Sequence, residues 1–481
     1  MRRPELAPDD RLDELLDESV DGAIRGVMSV RGESPLLKVE RDDPRRRLRA
    51  SMPDAGRPVS EVLDELDSVL AVNRRRNAHA GMFGYVCGSG LPTDPLGHAL
   101  AAAHGQNVTG FGSAPGATAI EVQLVDWFIA LAGLPKSASG MLVSGGSVSN
   151  LTAIAVAVQR GVDPRGGLFA GARPIVYASA TAHFSVLRSV RMMGIGRDGL
   201  RFVPTDDAGA MRADRLAELV RADRQREDVR PAVVIATAGT TARGAIDPLE
   251  AIAELCAAEG LFFHVDAAYG GAALLSPRLA PLFRGIERAD SLTIDLHKWM
   301  YTTFDASLLL YRNPDDARRV FFERADYALA PSRDNLRNFA FYHQGLETSR
   351  RFRALAPWLA LNHYGRSKLA RNIEHNVDCA RWLGQRVSQD PNLELVGEPS
   401  LSIANFRARL TGRDARQVDR VTEAVREDLQ REGEFFLSAT NIEGRPVLRV
   451  CVLSPSTDAD TIESLVARCS ALVAKNAQAL A

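Results

Sequence analysis

The sequence has few cysteines, and their spacing offers no crosslinked framework. Its five cysteines are widely separated and no two form a Cys-x-x-Cys pair: Cys87, Cys256, Cys379, Cys451 and Cys469. An odd, dispersed set argues against structural disulfides and against a cysteine-based zinc site, and it suits a reducing compartment. We therefore expect a cytoplasmic protein without a metal site.

The sequence also lacks an excess of charge of one sign and a long apolar run. Lys and Arg number 59 against 60 Asp and Glu, for a formal net charge of -1. No stretch approaches a membrane span, and the N-terminus has no apolar region typical of a signal peptide. Arginines at 45–49 and 74–76 could form a basic patch, but a solvated face or subunit contact is the better interpretation. We expect neither nucleic acid nor membrane as a partner.

Short apolar runs alternate with amphipathic segments, which predicts an α/β fold with a largely parallel sheet. Strands are predicted at 141–143, 174–177, 232–237, 261–265, 291–294 and 306–311, and helices at 149–160, 212–222 and 249–259. Before them, 11–28 and 59–72 have helical spacing, and after them strands at 393–396, 402–407 and 447–452 suggest a small α+β domain. The predicted domains are an N-terminal helical or dimerisation segment (1–95), a large domain (96–360) and a small C-terminal domain (361–481). The polar stretch 323–338 is predicted to be a loop that closes as a lid.

A lysine stands where one of these strands stops. Asp-Leu-His-Lys-Trp-Met, 295–300, follows the apolar run 291–294, so Lys298 either ends a strand as a solvated charge or acts as a nucleophile. Asp266 likewise ends the run Leu-Phe-Phe-His-Val, and alone it would be read as a turn or cap residue. His264 and Asp266 could suggest metal ligands, but no third donor lies nearby in the sequence.

Two turns rich in small and hydroxyl residues also follow predicted strands. Ser-Gly-Gly-Ser-Val-Ser-Asn, 144–150, leads into a helix, and Ala-Gly-Thr-Thr occupies 238–241. Backbone N–H groups at a helix start bind anions well, and the pattern is neither a dinucleotide fingerprint nor a Walker loop. His183 follows a further strand, where alone it would be read as a packed or capping residue. In a parallel sheet all these positions lie at the carboxyl edge, where ligands bind.

Together these residues meet the demands of pyridoxal phosphate. A lysine can form a Schiff base with the aldehyde, a carboxylate can keep the pyridine nitrogen protonated, and a Ser/Gly turn can hold the phosphate.

The sequence resembles the group II pyridoxal-phosphate-dependent decarboxylases of the aspartate-aminotransferase-like fold (fold type I). The resemblance covers roughly 75–455. It rests on ordered motifs: Ser-Gly-Gly-Ser-Val-Ser-Asn, Ala-Thr-Ala-Gly-Thr-Thr, His-Val-Asp-Ala-Ala-Tyr-Gly-Gly, Gly-Ile-Glu-Arg-Ala-Asp-Ser (285–291), Asp-Leu-His-Lys and Ser-Arg-Arg-Phe-Arg-Ala-Leu (349–355). It implies an amino acid decarboxylase that acts as a homodimer with shared active sites.

The resemblance also implies roles for single residues. Lys298 matches the Schiff-base lysine, Asp266 the partner of the pyridine nitrogen, Ala268 the small residue under the ring and His183 the histidine stacked above it. The positions that match phosphate contacts or their neighbours are Gly146, Ser147, Val148, Thr241 and His297. Tyr327 stands where decarboxylases of the family carry a catalytic tyrosine.

The substrate pocket is the least familiar part of the sequence. Phe83, Tyr85 and Phe304 are its candidate residues, and Phe304 matches a position that contributes across the subunit interface. Some motifs look more like the glutamate, cysteine sulfinate and diaminobutyrate branches than the aromatic branch. Tyr85, however, replaces a glutamine of acidic-substrate relatives, which disfavours glutamate. The substrate is expected to be an amino acid, free or bound to a carrier protein. The alternatives are an oxidative deaminase that forms an aldehyde on the same fold, and a non-catalytic binding subunit.

Overall fold

A computed structural model describes residues 44–48, 51–73, 75–160, 171–322 and 336–478. The helices are α1 Val59–Asn73, α2 Asp94–His104, α3 Pro115–Leu131, α4 Gly146–Gln159, α5 Ser185–Met192, α6 Ala213–Arg224, α7 Leu249–Glu259, α8 Leu296–Trp299, α9 Pro314–Phe321, α10 Leu355–Gln389, α11 Ala415–Glu432 and α12 Ala459–Gln478. The strands are β1 Ser139–Val143, β2 Arg173–Ser179, β3 Leu200–Val203, β4 Val229–Thr237, β5 Phe262–Asp266, β6 Ser291–Asp295, β7 Ser307–Tyr311, β8 Leu393–Leu395, β9 Ile403–Ala408, β10 Ser438–Ile442 and β11 Arg445–Cys451.

A seven-stranded sheet with the order β1-β7-β6-β5-β4-β2-β3 forms the centre of the molecule. The neighbours from β3 through β6 pair in parallel, while β7 is antiparallel to both β6 and β1. The prediction of an α/β fold with a mainly parallel sheet is confirmed. The chain reverses after β6 because the connection to β7 contains only the one-turn helix α8, which is too short for a parallel crossover.

The direction of the strands determines where the polar residues collect. Because β1, β2, β4, β5 and β6 run the same way, their carboxyl ends lie along one edge of the sheet. That edge carries Val143, Thr237, Asp266 and Asp295, and antiparallel β7 begins there at Ser307. Helix α4 crosses beneath it with most of its length buried, which explains its apolar sequence without a polar face.

A second sheet, with the order β10-β11-β9-β8, is antiparallel throughout and packs with α10, α11 and α12 around its own hydrophobic cluster. Phe83, from the N-terminal part of the chain, belongs to this cluster. Helix α10 runs through the predicted boundary at 360, with a non-helical Gly365 (φ 73°) inside it. The exact domain boundaries stay a prediction.

Two strands were missed by the sequence reading for a common reason. Each is an edge strand of its sheet: β3 has four residues, and β10 carries the polar sequence Ser-Ala-Thr-Asn-Ile. Edge strands face solvent on one side and need no continuous apolar run. The predicted helix at 59–72 is confirmed as α1. The predicted helix 11–28 and residues 323–335 of the predicted loop lie outside the described residues, while Leu336–Asn338 form a short 3-10 helix. Within the part of the chain that the structure covers, no helix is long and apolar enough to cross a membrane.

A buried ion pair fastens the Ser-Arg-Arg-Phe-Arg motif to the large sheet. The guanidinium of Arg350 is paired with Glu121 of α3, and the two side chains are 1% and 0% exposed. Arg350 also donates to the backbone oxygens of Val108 (2.7 Å) and Leu142 (2.6 Å), and Glu121 accepts from the backbone N–H of Leu142 (2.9 Å). The pair therefore links the motif to the strand that leads into the Ser/Gly turn.

We expect Glu121→Gln to lower the free energy of unfolding by about 3 kcal/mol, because the amide leaves the Arg350 charge buried without a counter-charge. Denaturant unfolding followed by circular dichroism measures the change. The control is Glu218→Gln in the exposed pair Arg215–Glu218, where the side chains are 47% and 53% exposed and no measurable loss is expected. Equal stability of the two variants would show that the buried pair stabilises the fold no more than the exposed pair does.

Candidate active site

The Ser/Gly turn forms a cradle at the start of α4. The carbonyl of Gly145 accepts from the backbone N–H groups of Val148 (2.9 Å) and Ser149 (3.0 Å). The N–H groups of Gly146 and Ser147 belong to the first turn of the helix, which leaves them without intrahelical acceptors. A Cβ at Gly146 would lie 2.8 Å from Oδ2 of Asp295, so only glycine lets the turn approach the neighbouring strand this closely. Free N–H donors at the positive end of a helix favour an anion here.

Lys298 lies on the one-turn helix that follows β6, beside a buried carboxylate. Its Nζ is 2.7 Å from Oδ2 of Asp295, and Nε2 of His297 is 3.7 Å from the same oxygen. Burial alone would lower the pKa of Lys298, but the adjacent Asp295 raises it above its ordinary value. Burial likewise works against ionised Asp295, yet Lys298 and His297 hold its pKa below the usual range. An ion pair with Asp295 thus holds Nζ of Lys298 at this edge of the sheet.

Asp266 is oriented by an asparagine that the sequence analysis did not single out. Nδ2 of Asn150, on α4, donates to Oδ2 of Asp266 (2.7 Å), and the backbone N–H of Ala268 donates to Oδ1 (3.1 Å). Oδ1 of Asn150 lies 3.1 Å from Nε2 of His264 and accepts from the Thr293 hydroxyl at 3.1 Å. The amide orientation is therefore determined by partners on both sides, and with it the position of the carboxylate.

His264 takes part in this network as a neutral ring. Burial lowers the pKa of His264 to about 4, so the ring carries no charge near neutral pH. Its Nδ1 lies 2.7 Å from Oγ of Ser291, and its Nε2 faces Asn150. Both ring nitrogens thus have protein partners, which assigns His264 to the support of Asn150 rather than to a metal.

His183 joins the same network from the end of the neighbouring strand. Its Nδ1 lies 2.8 Å from Oγ of Ser185, and that hydroxyl accepts from Nδ2 of Asn150 at 3.1 Å. Burial, more than any charge, lowers the pKa of His183. A neutral ring held through one nitrogen is suited to lie flat against an aromatic ligand.

These residues line one cleft of about 390 Å³, within the usual size range of small-molecule sites. Ten of the predicted positions meet there: Gly146, Ser147, Val148, His183, Thr241, Asp266, Ala268, His297, Lys298 and Phe304. The Phe304 ring lies 4.6 Å from the ring of His297, centroid to centroid, inside the cleft of its own chain. A contribution of Phe304 to a partner subunit stays a prediction.

Two predicted pocket residues do not reach this cleft. Phe83 is fully buried, with its ring stacked on Phe435 in the core of the C-terminal sheet, so it offers no surface to a substrate. We correct its assignment to a structural one. Tyr85 is 53% exposed and rests 5.4 Å from the ring of Phe436, outside the residues that line the cleft. Tyr327 lies outside the described residues.

The C-terminal sheet also reaches the cleft, through residues the sequence analysis missed. The Tyr269 hydroxyl, on the cleft wall, is 2.6 Å from that of Ser402, and Nη1 of Arg449 donates to the backbone oxygen of Thr241 (2.7 Å). Tyr269 and Asp295 lie within the motifs quoted above, close in sequence to Asp266 and Lys298. This proximity could have identified them as site residues. Nothing in the sequence pairs Arg449 with Thr241.

A larger cavity, of about 930 Å³, lies elsewhere and is lined by residues within 207–210, 243–254, 282–284 and 396–405. It contains none of the predicted site residues and no lysine. The chemistry, not the volume, therefore identifies the smaller cleft as the active site.

The side chains of the cleft fit pyridoxal phosphate. The free N–H groups of Gly146 and Ser147 suit a phosphate, the fixed Asp266 carboxylate suits a protonated ring nitrogen, and Lys298 is the amine that an aldehyde requires. Ala268 and His183 line the space between them.

Comparison with known proteins agrees with this chemistry. The family model of the pyridoxal-dependent decarboxylase conserved domain matches residues 42–409. An aromatic-L-amino-acid decarboxylase of Bacillus atrophaeus is 29% identical over 459 residues, covering 95% of this chain and 94% of the relative. An L-2,4-diaminobutyrate decarboxylase of Rhizobium meliloti (strain 1021) is 32% identical over 427 residues, covering 86% and 82%. Phenylacetaldehyde synthases of Arabidopsis thaliana and Petunia hybrida are further relatives.

The fold is likewise shared with solved structures. The crystal structure of Oryza sativa TDC with PLP and tryptamine superposes with a TM-score of 0.89 at 25% sequence identity, and each chain is covered to 99%. Because the family model spans well over half of the sequence, the chain belongs to the pyridoxal-dependent decarboxylases, the group II family of fold type I, and its cofactor is pyridoxal phosphate.

Proposed function

We propose that the protein removes the α-carboxylate of an amino acid to give an amine, with pyridoxal phosphate held covalently by Lys298. The observation that carries this assignment is the position of Lys298. Its Nζ opens onto the cleft beside Asp295, in a space that also contains the α4 cradle and the Asp266 carboxylate. Of the cleft-lining residues, Lys298 alone supplies an amine.

The cofactor, when bound, supplies an electron sink for the electron pair that remains when CO2 departs. Asp266 would maintain that capacity by keeping a proton on the ring nitrogen, and Asn150 holds the carboxylate in position. His183 and Ala268, which line the cleft, would confine a flat ring. Gly146 and Ser147 would bind the phosphate through backbone N–H groups, with Thr241 and His297 at the sides of the cleft.

Lys298 would have a second task whenever its amine is not bonded to the cofactor. A freed lysine amine at the strand end can accept or return a proton, and Asp295 is the group that keeps it close. The family resemblance assigns protonation of the α-carbon to Tyr327, and that assignment stays a prediction.

The substrate is proposed to be an amino acid, free or bound to a carrier protein. Relatives with similar identity to this chain act, by their names, on aromatic amino acids and on diaminobutyrate. Similarity at the family level therefore does not distinguish between these substrate classes. The resemblance of some motifs to the glutamate, cysteine sulfinate and diaminobutyrate branches stays a prediction about the substrate.

We further propose a cytoplasmic homodimer with shared active sites. All five cysteines are free, which fits a reducing compartment. An exposed Phe304 at the mouth of the cleft and an apolar hollow lined by Trp127, Leu131 and Leu361 fit surfaces that a second subunit covers. The mass of the protein in solution measures the subunit number.

The alternative reaction on this fold, oxidative deamination to an aldehyde, has named representatives among the relatives. We expect a screen of amino acids, including carrier-bound aminoacyl groups, to yield CO2 and amine without ammonia or peroxide. The expectation follows from Tyr327 and His183, which match the simple decarboxylases. Stoichiometric ammonia and peroxide with the best substrate would assign the protein to the aldehyde-forming type instead. A purified protein without bound cofactor would favour a non-catalytic role.

We expect Lys298→Ala to reduce turnover by at least about 1,000-fold, the scale found when a covalent catalytic group is removed. Borohydride reduction followed by mass spectrometry should add one cofactor to the wild-type protein and none to the variant. Lys136→Ala, an exposed lysine away from the cleft, is the matched control and should behave as wild type. Covalent cofactor in Lys298→Ala would remove this lysine from the proposal.

We expect Asp266→Asn to reduce turnover by about 100-fold or more while the cofactor stays bound, because a neutral amide no longer holds a proton on the ring nitrogen. Turnover and the absorbance of the bound cofactor measure the two properties separately. Asp290→Asn makes the same chemical change at the opposite end of the strands, where Asp290 accepts from the backbone N–H of Phe263. It should leave turnover unchanged, and equal losses in the two variants would contradict the role of Asp266.

A further inference from the structure

The Ser-Arg-Arg-Phe-Arg motif has a second arginine that the proposed reaction does not use. The Arg353 side chain is only 7% exposed. Its Nε donates to Oδ2 of Asp305 at 3.0 Å, and its two terminal nitrogens donate to Glu347 at 2.7 and 3.0 Å. Burial disfavours the charged guanidinium, but the two carboxylates raise the pKa of Arg353 above its ordinary value. The three side chains thus form a partly buried ion-pair cluster.

Asp305 is bonded directly to the cleft residue Phe304. Phe304 is 55% exposed in the single chain and its ring packs on His297, so within its own chain the ring has a packing partner on one side. Its position depends on the backbone of residues 303–305, which we name the Phe304 segment. An exposed aromatic ring would move freely if its segment had no contacts, but other parts of the chain hold this segment.

The Phe304 segment is held from both of its ends. On one end, the backbone N–H of Thr303 donates to the buried Asp94 carboxylate (2.6 Å), and the Thr303 hydroxyl is 2.6 Å from Nε2 of His98. On the other end, Asp305 is bound by Arg353 and, at 3.2 Å, by the exposed Arg351. One carboxylate and one histidine, Asp94 and His98, and two arginines, Arg351 and Arg353, therefore converge on three residues.

We propose that Arg353 is a positioning residue that, through Asp305, keeps the Phe304 ring against His297 and so limits the room for a ligand's side chain in the cleft. The proposal rests on the proposed function only in that the ligand enters this cleft. Arg353 itself does not line the cleft, and its effect passes through the Phe304 segment. Loss of Arg353 is therefore expected to change how the cleft discriminates between ligand side chains of different size. It is not expected to change cofactor binding.

The test uses two reagents that share one reactive group. Aminooxyacetate has no side chain, whereas L-α-aminooxy-β-phenylpropionate carries a benzyl group. Both react with the cofactor carbon that is joined to Lys298, forming an oxime and releasing the lysine amine. The loss of cofactor absorbance gives a rate constant for each, without knowledge of the natural substrate. Arg353→Gln and Asp305→Asn should each raise the benzyl-to-unsubstituted rate ratio about tenfold, the scale of side-chain discrimination in a pocket. The released ring can then turn away from His297.

Controls separate positioning from general damage. Glu347→Gln removes the other carboxylate on Arg353 but leaves its contact with Asp305, and the ratio should stay at the wild-type value. Arg353→Lys, which keeps one charged donor, should restore most of the ratio. In a Phe304→Ala background, Arg353→Gln should have no further effect, because the positioned ring is absent.

Three outcomes would overturn the proposal: an unchanged ratio in Arg353→Gln and Asp305→Asn, an equal slowing of both reagents, or a full effect of Arg353→Gln without Phe304. If Arg353→Gln does not fold, the rate ratios of Asp305→Asn and Phe304→Ala test the proposal instead. A wild-type protein without reactive cofactor would instead contradict the proposed function, and it is recognised before any variant is made.

Discussion

The hydrogen bond between Asn150 and Asp266 is the interaction on which the site depends. Asp266 is 5% exposed, and a carboxylate buried to that extent must have donors. Asn150 supplies one from α4, and its own orientation is imposed by Thr293 and His264 on two adjacent strands. The same amide reaches Ser185 and, through it, His183. One side chain thus links α4, the Asp266 carboxylate and, through Ser185, His183.

This arrangement explains why the site is placed on the carboxyl edge of a parallel sheet. At that edge Asp266 ends β5 and Asp295 ends the adjacent strand β6. Helix α4 begins close by, with free N–H groups. The two carboxylates have different partners and therefore different tasks. Asp266 accepts hydrogen bonds from two neutral donors, Asn150 and a backbone N–H, whereas Asp295 faces a lysine and a histidine. A neutral donor leaves a carboxylate available to a cationic ligand, and a salt bridge does not.

Much of this site could be predicted from the sequence because its chemistry is local. Lys298, Asp266 and the Ser/Gly turn each follow an apolar run directly, and strand direction brings such ends together. Asn150 and Asp295 stood within the quoted motifs, but their roles are pairwise and depend on which strands are neighbours. Phe83 failed for the opposite reason. It is close to Tyr85 and the cleft residue Val86 in sequence, yet the chain bends at residues 84–86 and the Phe83 ring packs in the C-terminal core. The edge strands β3 and β10 failed because solvent exposure removes the apolar pattern.

The Ser-Arg-Arg-Phe-Arg motif shows how far such reasoning can extend beyond the catalytic groups. Its two inward arginines lie three residues apart and bind different parts of the fold: Arg350 the strand that leads into the cradle, Arg353 the segment that carries Phe304. Each replaces the hydration of a nearly buried guanidinium with several charged or carbonyl acceptors, which is costly unless the geometry is kept. The motif therefore contacts both the strand that leads into the Ser/Gly turn and the segment that carries Phe304. It belongs to the architecture of the site, although neither arginine lines the cleft.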